Sequence, residues 1–235
     1  MRRVWAIARK ELVSYFSSPV AYIVGAVTII LFAFFFDVIV TSTREAHMKY
    51  VFHNMYITFL LVSPMLTMRL FAEEKKLGTF ELLMTSPITL FELVLGKLLG
   101  VTLFYLAIMA VTLEYPLFLA VFGNPDWGPL FTGYLGFTLM GISFLAVGMF
   151  ASSLSENQIV AMIISFGILL MLGIISWVGS QVAGPFGDFL QGLSIFERFE
   201  NFNRGVLDTG DICYYLSLTG IFTFLTVRSL DWKRW

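Results

Sequence analysis

The chain has 235 residues and a formal net charge of −1, and 58% of its residues are hydrophobic while only 13% are charged. A soluble domain carries about 25% charged residues, so we expect most of this chain to lie in lipid rather than in water. The near-neutral charge and the lack of a basic cluster argue against a nucleic-acid partner.

The first 17 residues predict an amphipathic helix. Apolar residues such as Val4 and Leu12 fall largely on one side, and Arg9, Lys10 and Glu11 interrupt the apolar run. A signal peptide needs a continuous apolar stretch, so this segment is a better match to a helix that lies in the membrane interface. The alternative is a basic flank of the first membrane span.

Six stretches are long and apolar enough to cross a membrane, because a spanning helix needs roughly 20 apolar residues. They cover about residues 19–40, 51–71, 93–122, 130–153, 158–181 and 212–227. Ser18 and Pro19 suit the start of the first span, and Thr89 with Glu92 forms a capping box before the third. No linker or repeat divides the chain. We therefore predict an all-α integral membrane protein with six transmembrane helices in a single domain, residues 1–235.

The distribution of lysine and arginine predicts that both termini face the cytoplasm. Eleven of these residues belong to the side that holds the termini and the loop at residues 72–89, and four to the opposite side. Cytoplasmic loops carry the excess of positive residues. The first group is Arg2, Arg3, Arg9, Lys10, Arg69, Lys75, Lys76, Lys97, Arg228, Lys233 and Arg234, and the second is Arg44, Lys49, Arg198 and Arg204.

The external connection at residues 182–211 is rich in Phe, Leu and Gly, which is unlike a solvated loop. We predict short re-entrant helices there that dip into the outer leaflet, since backbone groups at that depth must be satisfied within helices or by protein.

Two carboxylates fall within predicted spans, where ionisable groups are costly and are candidates for function. Glu114 lies in the third span, two residues before Pro116, which frees a backbone carbonyl and favours a kink. It is a candidate pathway group, with a structural hydrogen bond as an equal alternative. Asp37 lies near the outer end of the first span, where reaching the interface is the favoured reading. Small residues that permit close helix approach follow a GxxxG pattern in the third span and recur along the fourth: Gly96, Gly100, Gly133, Gly136, Gly141 and Gly148.

The sequence offers no motif for chemistry of its own. Gly96-Lys97 resembles the end of a phosphate-binding loop, but Phe91 replaces the first glycine of that motif and Leu98 follows the lysine. One cysteine, Cys213, permits no disulfide within the chain, and two histidines, His47 and His53, are too few for a histidine-rich metal site. We therefore predict a non-enzymatic chain with no cofactor or metal.

The loop at residues 72–89 is instead predicted to bind a protein. Gly78 interrupts the helix that extends from the second span, and residues 79–86 then form a short helix ended by Pro87. Its apolar residues Phe80, Leu82, Leu83 and Met84 have no reason to face water, so this helix suits insertion into a groove on a partner. A charged loop that merely follows the positive-inside rule would need no apolar face.

The stretch "PMLTMRLFAEEKKLGTFELLMTSPITLFELVLGKLLG", residues 64–100, resembles the signature region of permease subunits of ABC-2 type transporters. The matching positions are Glu74, Gly78, Thr79, Glu81 and Leu83, then Ser86 to Thr89, and Gly96 with Lys97. "NFNRGVLDTGDICYYLS", residues 201–217, is similar to the gliding-motility and nitrous-oxide-reductase-maturation branches of that family. "ARKELVSYFSSPVAYI", residues 8–23, resembles the family's amphipathic elbow helix.

The resemblance implies a permease subunit that pairs with a second permease subunit, as a homodimer or heterodimer, above two copies of a separate ABC ATPase. ATP and Mg²⁺ would then bind to the ATPase. It implies alternating access in a bacterial inner membrane, with export of an unidentified substrate. The residues implied to couple to the ATPase are Glu73, Glu74, Gly78, Thr79, Phe80, Glu81 and Leu83, with Lys10 and Glu11 of the elbow helix beside them.

Two other functions stay open on sequence grounds. An ATPase-coupled membrane complex could transmit force or aid maturation without exporting a solute. An ion-coupled secondary transporter is less favoured, because such proteins place charges in several spans and this chain offers one clear case.

Overall fold

The computed structural model describes residues 2–43, 48–85, 87–182 and 184–232, and every regular element within them is an α-helix. His47 and Ser86 lie outside the described residues. The elements in chain order are α1 (Arg2–Ser17), α2 (Pro19–Thr43), α3 (Lys49–Thr67), α4 (Arg69–Lys76), α5 (Thr79–Thr85), α6 (Leu90–Thr112), α7 (Glu114–Phe122), α8 (Trp127–Leu154), α9 (Gln158–Gln181), α10 (Pro185–Gly192), α11 (Ile195–Asn203) and α12 (Thr209–Trp232).

Within the described ranges, six helical segments are long and apolar enough to span a membrane, which confirms the predicted all-α, six-span architecture. They are Pro19–Thr43, Lys49–Lys76, Leu90–Phe122, Trp127–Leu154, Gln158–Gln181 and Thr209–Trp232. The second and third of these are each divided at one residue, so that α3 leads into α4 and α6 into α7. Both predicted helix starts are present: α2 begins at Pro19, and the side chains of Thr89 and Glu92 form the capping box of α6.

The fourth span, α8, lies at the centre of the molecule and contacts α3, α4, α6, α9, α11 and α12. The glycines of α8 make these contacts possible, because a Cβ on Gly136 would come within 2.5 Å of the Phe202 ring on α11. The third span shows the same feature, since a Cβ on Gly100 of α6 would come within 2.6 Å of Glu11 on α1. Hydroxyl groups add polar contacts: Tyr105 donates to the carbonyl of Phe137 at 2.9 Å. The predicted close approach at small residues is therefore present in both spans.

The outer spans leave wide apolar faces uncovered. α2, α9 and α12 bury less than a third of their apolar windows, whereas α3 and α8 bury more than two thirds. Along α9, the exposed side chains include Ile159, Ile163, Met171 and Trp177. In a membrane these faces require lipid or another subunit.

The connection between α9 and α12 contains the two short helices α10 and α11, in the region where short helices were predicted. Arg198 on α11 fastens it, because its guanidinium lies 2.8 Å from the buried carboxylate of Asp211 on α12 and also donates to the carbonyl of Gly192. Glu200 on α11 forms ion pairs with Lys49, at the start of α3, at 2.9 Å and with Arg204 at 3.2 Å.

Candidate functional site

The predicted coupling region forms two helices at one end of the molecule. α4 ends at Lys76, and the chain turns through Gly78, whose φ of +69° lies in the left-handed region that favours glycine. α5 then runs from Thr79 to Thr85, ahead of the capped start of α6. The predicted interruption at Gly78 and the predicted short helix are both observed.

The side chains of the coupling region divide into an exposed group and an inward group. Leu77 and Leu82 are 67% and 70% exposed, and Glu81 is also exposed. Phe80 and Leu83 instead pack against the core, with the Phe80 ring 6.4 Å from that of Phe71. The exposed apolar side chains are therefore Leu77, in the turn before α5, and Leu82, which is one of the four residues predicted to form the apolar surface.

The remaining predicted coupling residues lie on both sides of that surface. Thr79 is exposed and donates to the carbonyl of Glu74 at 3.2 Å, and Glu73 is partly buried. Glu74 points away from the exposed surface, toward α6.

Lys97 joins three helices through its ammonium group. Its side chain is buried, and its Nζ lies 2.8 Å from a carboxylate oxygen of Glu74 on α4 and 3.3 Å from one of Glu11 on α1. The same ammonium lies 5.2 Å from the centre of the Phe71 ring. A charge removed from water needs partners of this kind, and here one cation holds two carboxylates. We call Lys97, Glu11 and Glu74 the buried charge cluster.

The helix α1 rests directly on α6 beside this cluster. A Cβ on Gly96 would come within 2.6 Å of Ile7, as one on Gly100 would of Glu11, so only glycine permits this distance. Of the two predicted elbow residues, Glu11 is buried in this contact and Lys10 is exposed.

A second contact joins α1 to the start of α4. The Tyr15 hydroxyl donates to the carbonyl of Leu66 at 2.6 Å, and the Arg69 guanidinium lies 4.1 Å from the centre of the Tyr15 ring. Burial raises the pKa of Tyr15 far above its ordinary value, so the hydroxyl remains a hydrogen-bond donor at every physiological pH.

The break between α3 and α4 is closed by a serine from α8. The Ser152 hydroxyl accepts from the backbone N–H groups of Phe71 at 3.0 Å and Ala72 at 3.1 Å, and it donates to the Met68 carbonyl at 2.8 Å. A hydroxyl has one donor and two acceptor positions, so all are used. Lys75 also donates to the Ser153 carbonyl. The coupling region is thus fastened to the central span.

The third span breaks at Leu113, three residues before Pro116. Pro116 has no N–H to donate to the Thr112 carbonyl, and the hydroxyl of Tyr134 on α8 donates to that carbonyl at 2.7 Å. The sequence indicated the freed carbonyl but not its partner. Glu114 begins α7 with an exposed side chain, and Asp37 on α2 is exposed as well.

Sequence reasoning missed the roles of Lys97 and Ser152. Lys97 was noted as part of a family motif, but its two partners are 86 and 23 residues away in the chain. Ser152 is one of several serines in an apolar span and carries no local signal. Within the described residues, His, Cys, Asp and Glu form no group of three or more that could hold a metal ion.

A family model described as "ABC-2 family transporter protein" matches residues 42–225 of the chain. The matched segment covers more than half of the chain and includes α4, α5 and Lys97. No curated protein matches the sequence.

Proposed function

The chain belongs to the ABC-2 family of transporter proteins, and from this premise we propose that it is the membrane-spanning permease subunit of an ATP-binding-cassette exporter driven by a separate ATPase. The family model supports a permease component, and the six apolar helices support a multi-pass membrane protein. We propose the bacterial inner membrane as its location, with both termini in the cytoplasm, because eleven of the fifteen lysines and arginines belong to that side.

The observation that carries this proposal is the buried charge cluster. A force applied to α5 by an ATPase passes through α4 to Glu74, and from Glu74 through Lys97 to the third span and α1. Because Lys97 and Glu11 are buried and Glu74 is half-buried, these three helices respond as one unit rather than as independent elements. The exposed Leu77 and Leu82 supply the apolar surface that would enter a groove on the ATPase. Glu73, Gly78, Thr79 and Glu81 complete the docking element, and Phe80 and Leu83 hold α5 against the body of the permease.

A second permease subunit completes the pathway in this proposal. The uncovered apolar faces of α2, α9 and α12 provide the surface on which it would pack. ATP binding would draw two ATPase subunits together, and the two permease subunits would then alternate between inward and outward openings. ATP and Mg²⁺ belong to the ATPase in this arrangement.

Glu114 is proposed as a pathway residue and Asp37 as a group at the outer interface. The exposed side chain of Glu114 at the break in the third span supports the first assignment, since an unpaired carboxylate among apolar neighbours needs water or a second subunit beside it. Replacement by glutamine is expected to change transport or its pH dependence. Equal transport by Glu114→Gln and wild type across pH would return Glu114 to a structural role.

The experiment that tests the proposal is purification of the chain with a candidate ABC ATPase encoded beside it, followed by reconstitution into vesicles. A stable complex whose ATPase activity depends on the permease, together with ATP-driven movement of a solute, supports the exporter. ATP hydrolysis with no solute moved would favour a complex that transmits force or aids maturation. Transport driven by an ion gradient without ATP would identify a secondary transporter instead.

A further inference from the structure

A shallow groove on the exposed side of α1 has the composition of a lipid headgroup site. The groove has a volume of about 510 Å³ and is lined by Arg2, Trp5, Ala6, Arg9, Lys10 and Val13. Three cations therefore surround a surface formed by an indole ring and two small apolar side chains.

The groove faces away from the rest of the protein. The buried residues of α1 are Ala8, Glu11 and Tyr15, and this side packs on α6. Trp5 and Val13 are more than half exposed. Exposure of an indole ring and a valine to water is unfavourable. This side of α1 therefore needs a contacting surface that accepts both apolar groups and cations.

Among the described residues, the cations of the groove have no ion-pair partner. Arg3, on the same helix, lies 3.8 Å from the carboxylate of Glu92. Within the described part of the chain, no carboxylate forms a comparable ion pair with Arg2, Arg9 or Lys10. Three positive charges are thus available to one ligand, which the charge of the site requires to be an anion.

We propose that this groove binds the phosphate-bearing headgroup of an anionic phospholipid in the leaflet next to α1. The reason for preferring lipid to an acidic protein is position, because α1 is separated from the spanning helix α2 only by Ser18 and so lies where the chain enters the membrane. Tryptophan is favoured at that depth, and arginine and lysine beside it attract anionic headgroups. Arg2, Arg9 and Lys10 bind the headgroup, and Trp5 and Val13 lie against the upper part of the acyl chains.

Lipid binding at this site also regulates the permease, an inference that rests on the proposed function. The opposite side of α1 carries Glu11, which belongs to the buried charge cluster that links α1 to the coupling region. An anionic headgroup on the outer side holds α1 in its docked position and so keeps Glu11 against Lys97. ATP hydrolysis should then be coupled more tightly in membranes that contain anionic lipid.

The test uses the full chain in lipid nanodiscs, without any ATPase. In a variant whose other tryptophans are phenylalanine (Trp127, Trp177, Trp232 and Trp235), Trp5 fluorescence is measured with equal mole fractions of brominated phosphatidylglycerol or brominated phosphatidylcholine. Stronger quenching by phosphatidylglycerol is expected, and the preference should fall by about five-fold for each cation removed in Arg9→Gln and Lys10→Gln. If the four substitutions impair folding, the quenching of Trp5 is obtained by difference. The quenching measured for Trp5→Phe in the otherwise wild-type chain is subtracted from that of the wild type.

The matched control is Arg3→Gln, which removes a charge from the same helix outside the groove and should leave the preference unchanged. Equal quenching by the two lipids, or equal loss in Arg3→Gln and Arg9→Gln, overturns the proposal. Competition by inorganic phosphate at constant ionic strength would reassign the groove to a soluble anion. Loss of ATPase binding in Arg9→Gln with unchanged lipid preference would reassign it to a protein partner. Because the lipid measurement contains no ATPase, its outcome does not depend on whether the chain is an exporter.

Discussion

The ammonium of Lys97 and the carboxylate of Glu74 lie 2.8 Å apart, although Lys97 belongs to the third apolar span and Glu74 to the short helix α4. Glu11 reaches the same ammonium from α1. A part-buried charge contact therefore links α4 to the third span, and a change to either residue should affect both regions.

Replacing Lys97 with methionine keeps the length of the side chain and removes its charge. Two carboxylates then remain close together in a buried site, and the loss of a partner from such a pair costs about 3–5 kcal/mol. We expect a lower thermal midpoint in detergent and a loss of ATPase stimulation. The matched control is Lys76→Met, an exposed lysine of the same region, which should stay within about 0.5 kcal/mol of wild type. Equal stability of the two variants would show that the cluster contributes nothing.

The exposed surface of α5 is tested by Leu82→Asp. Leu82 is 70% exposed, so the chain should fold normally, while an apolar contact with the ATPase is replaced by a charge. We expect at least about a ten-fold weaker complex, which corresponds to about 1.4 kcal/mol, in co-purification or binding measurements. The control is Leu207→Asp, a leucine that is 51% exposed in the connection between α11 and α12. Phe80→Asp, in contrast, should destabilise the permease itself. Wild-type binding by Leu82→Asp would contradict docking through this surface.

The hydrogen bond from Tyr134 to the Thr112 carbonyl should depend on Pro116. Tyr134→Phe removes the hydroxyl that donates to that carbonyl, at an expected cost of about 1 kcal/mol. Pro116→Ala restores a backbone N–H that can bond to it. In the Pro116→Ala background the further cost of Tyr134→Phe should therefore be smaller. The double-mutant cycle is measured by unfolding in mixed micelles, and purely additive effects would count against this pairing.

The hydrogen bonds of Ser152 at the break between α3 and α4 can be tested locally. Ser152→Ala leaves two backbone N–H groups and one carbonyl without their partner, at a cost of about 1–3 kcal/mol. Amide hydrogen exchange at Phe71 and Ala72 should increase. The neighbouring Ser153 hydroxyl donates to the Phe150 carbonyl of its own helix, so Ser153→Ala should leave that exchange unchanged. Equal exchange rates in the two variants would exclude the proposed role of Ser152.

The connection between α9 and α12 should become less stable in acid. Burial by itself would raise the pKa of Glu200, but hydrogen bonds from Lys49 and Arg204 and the charge of Lys49 outweigh it, so the pKa lies below its ordinary value of 4.5. A carboxyl with a lowered pKa stabilises the fold above about pH 4.5 and loses that contribution as the pH falls through the lowered value. The protection factors of the α11 amides, which correct the exchange rates for the intrinsic effect of pH, should therefore fall on acidification below pH 4.5. Glu200→Gln should show the faster exchange already at neutral pH, and a pH response identical to wild type in that variant would rule Glu200 out as its cause.

Much of the architecture could be predicted because the membrane demands long apolar segments. The apolar composition of each span identifies it, and the helix starts at Pro19 and Thr89 follow from local capping chemistry. The breaks at Met68 and Leu113 were harder to locate. Pro116 signals the second one, whereas the first depends on a hydroxyl that approaches from another span.

The candidate site was predictable only in part. Gly78 and the helix after it follow from turn chemistry and apolar pattern. Which apolar residues of α5 face outward depends on where Phe71 lies beneath it, and so Phe80 turns inward while Leu82 does not. The burial of Lys97 likewise depends on contacts with α1 and α4, which are distant from it in the sequence. No local sequence pattern predicts these contacts.

The separation in sequence between Glu11 and Lys97 also sets an order for biogenesis. When α1 leaves the ribosome, the glycines on which it rests and the ammonium that neutralises Glu11 have not yet been synthesised. α1 therefore cannot pack on α6 until the third span has been synthesised and inserted. The contacts of α1 and α4 with Lys97 therefore form in a late step, which requires the third span to be in the membrane already.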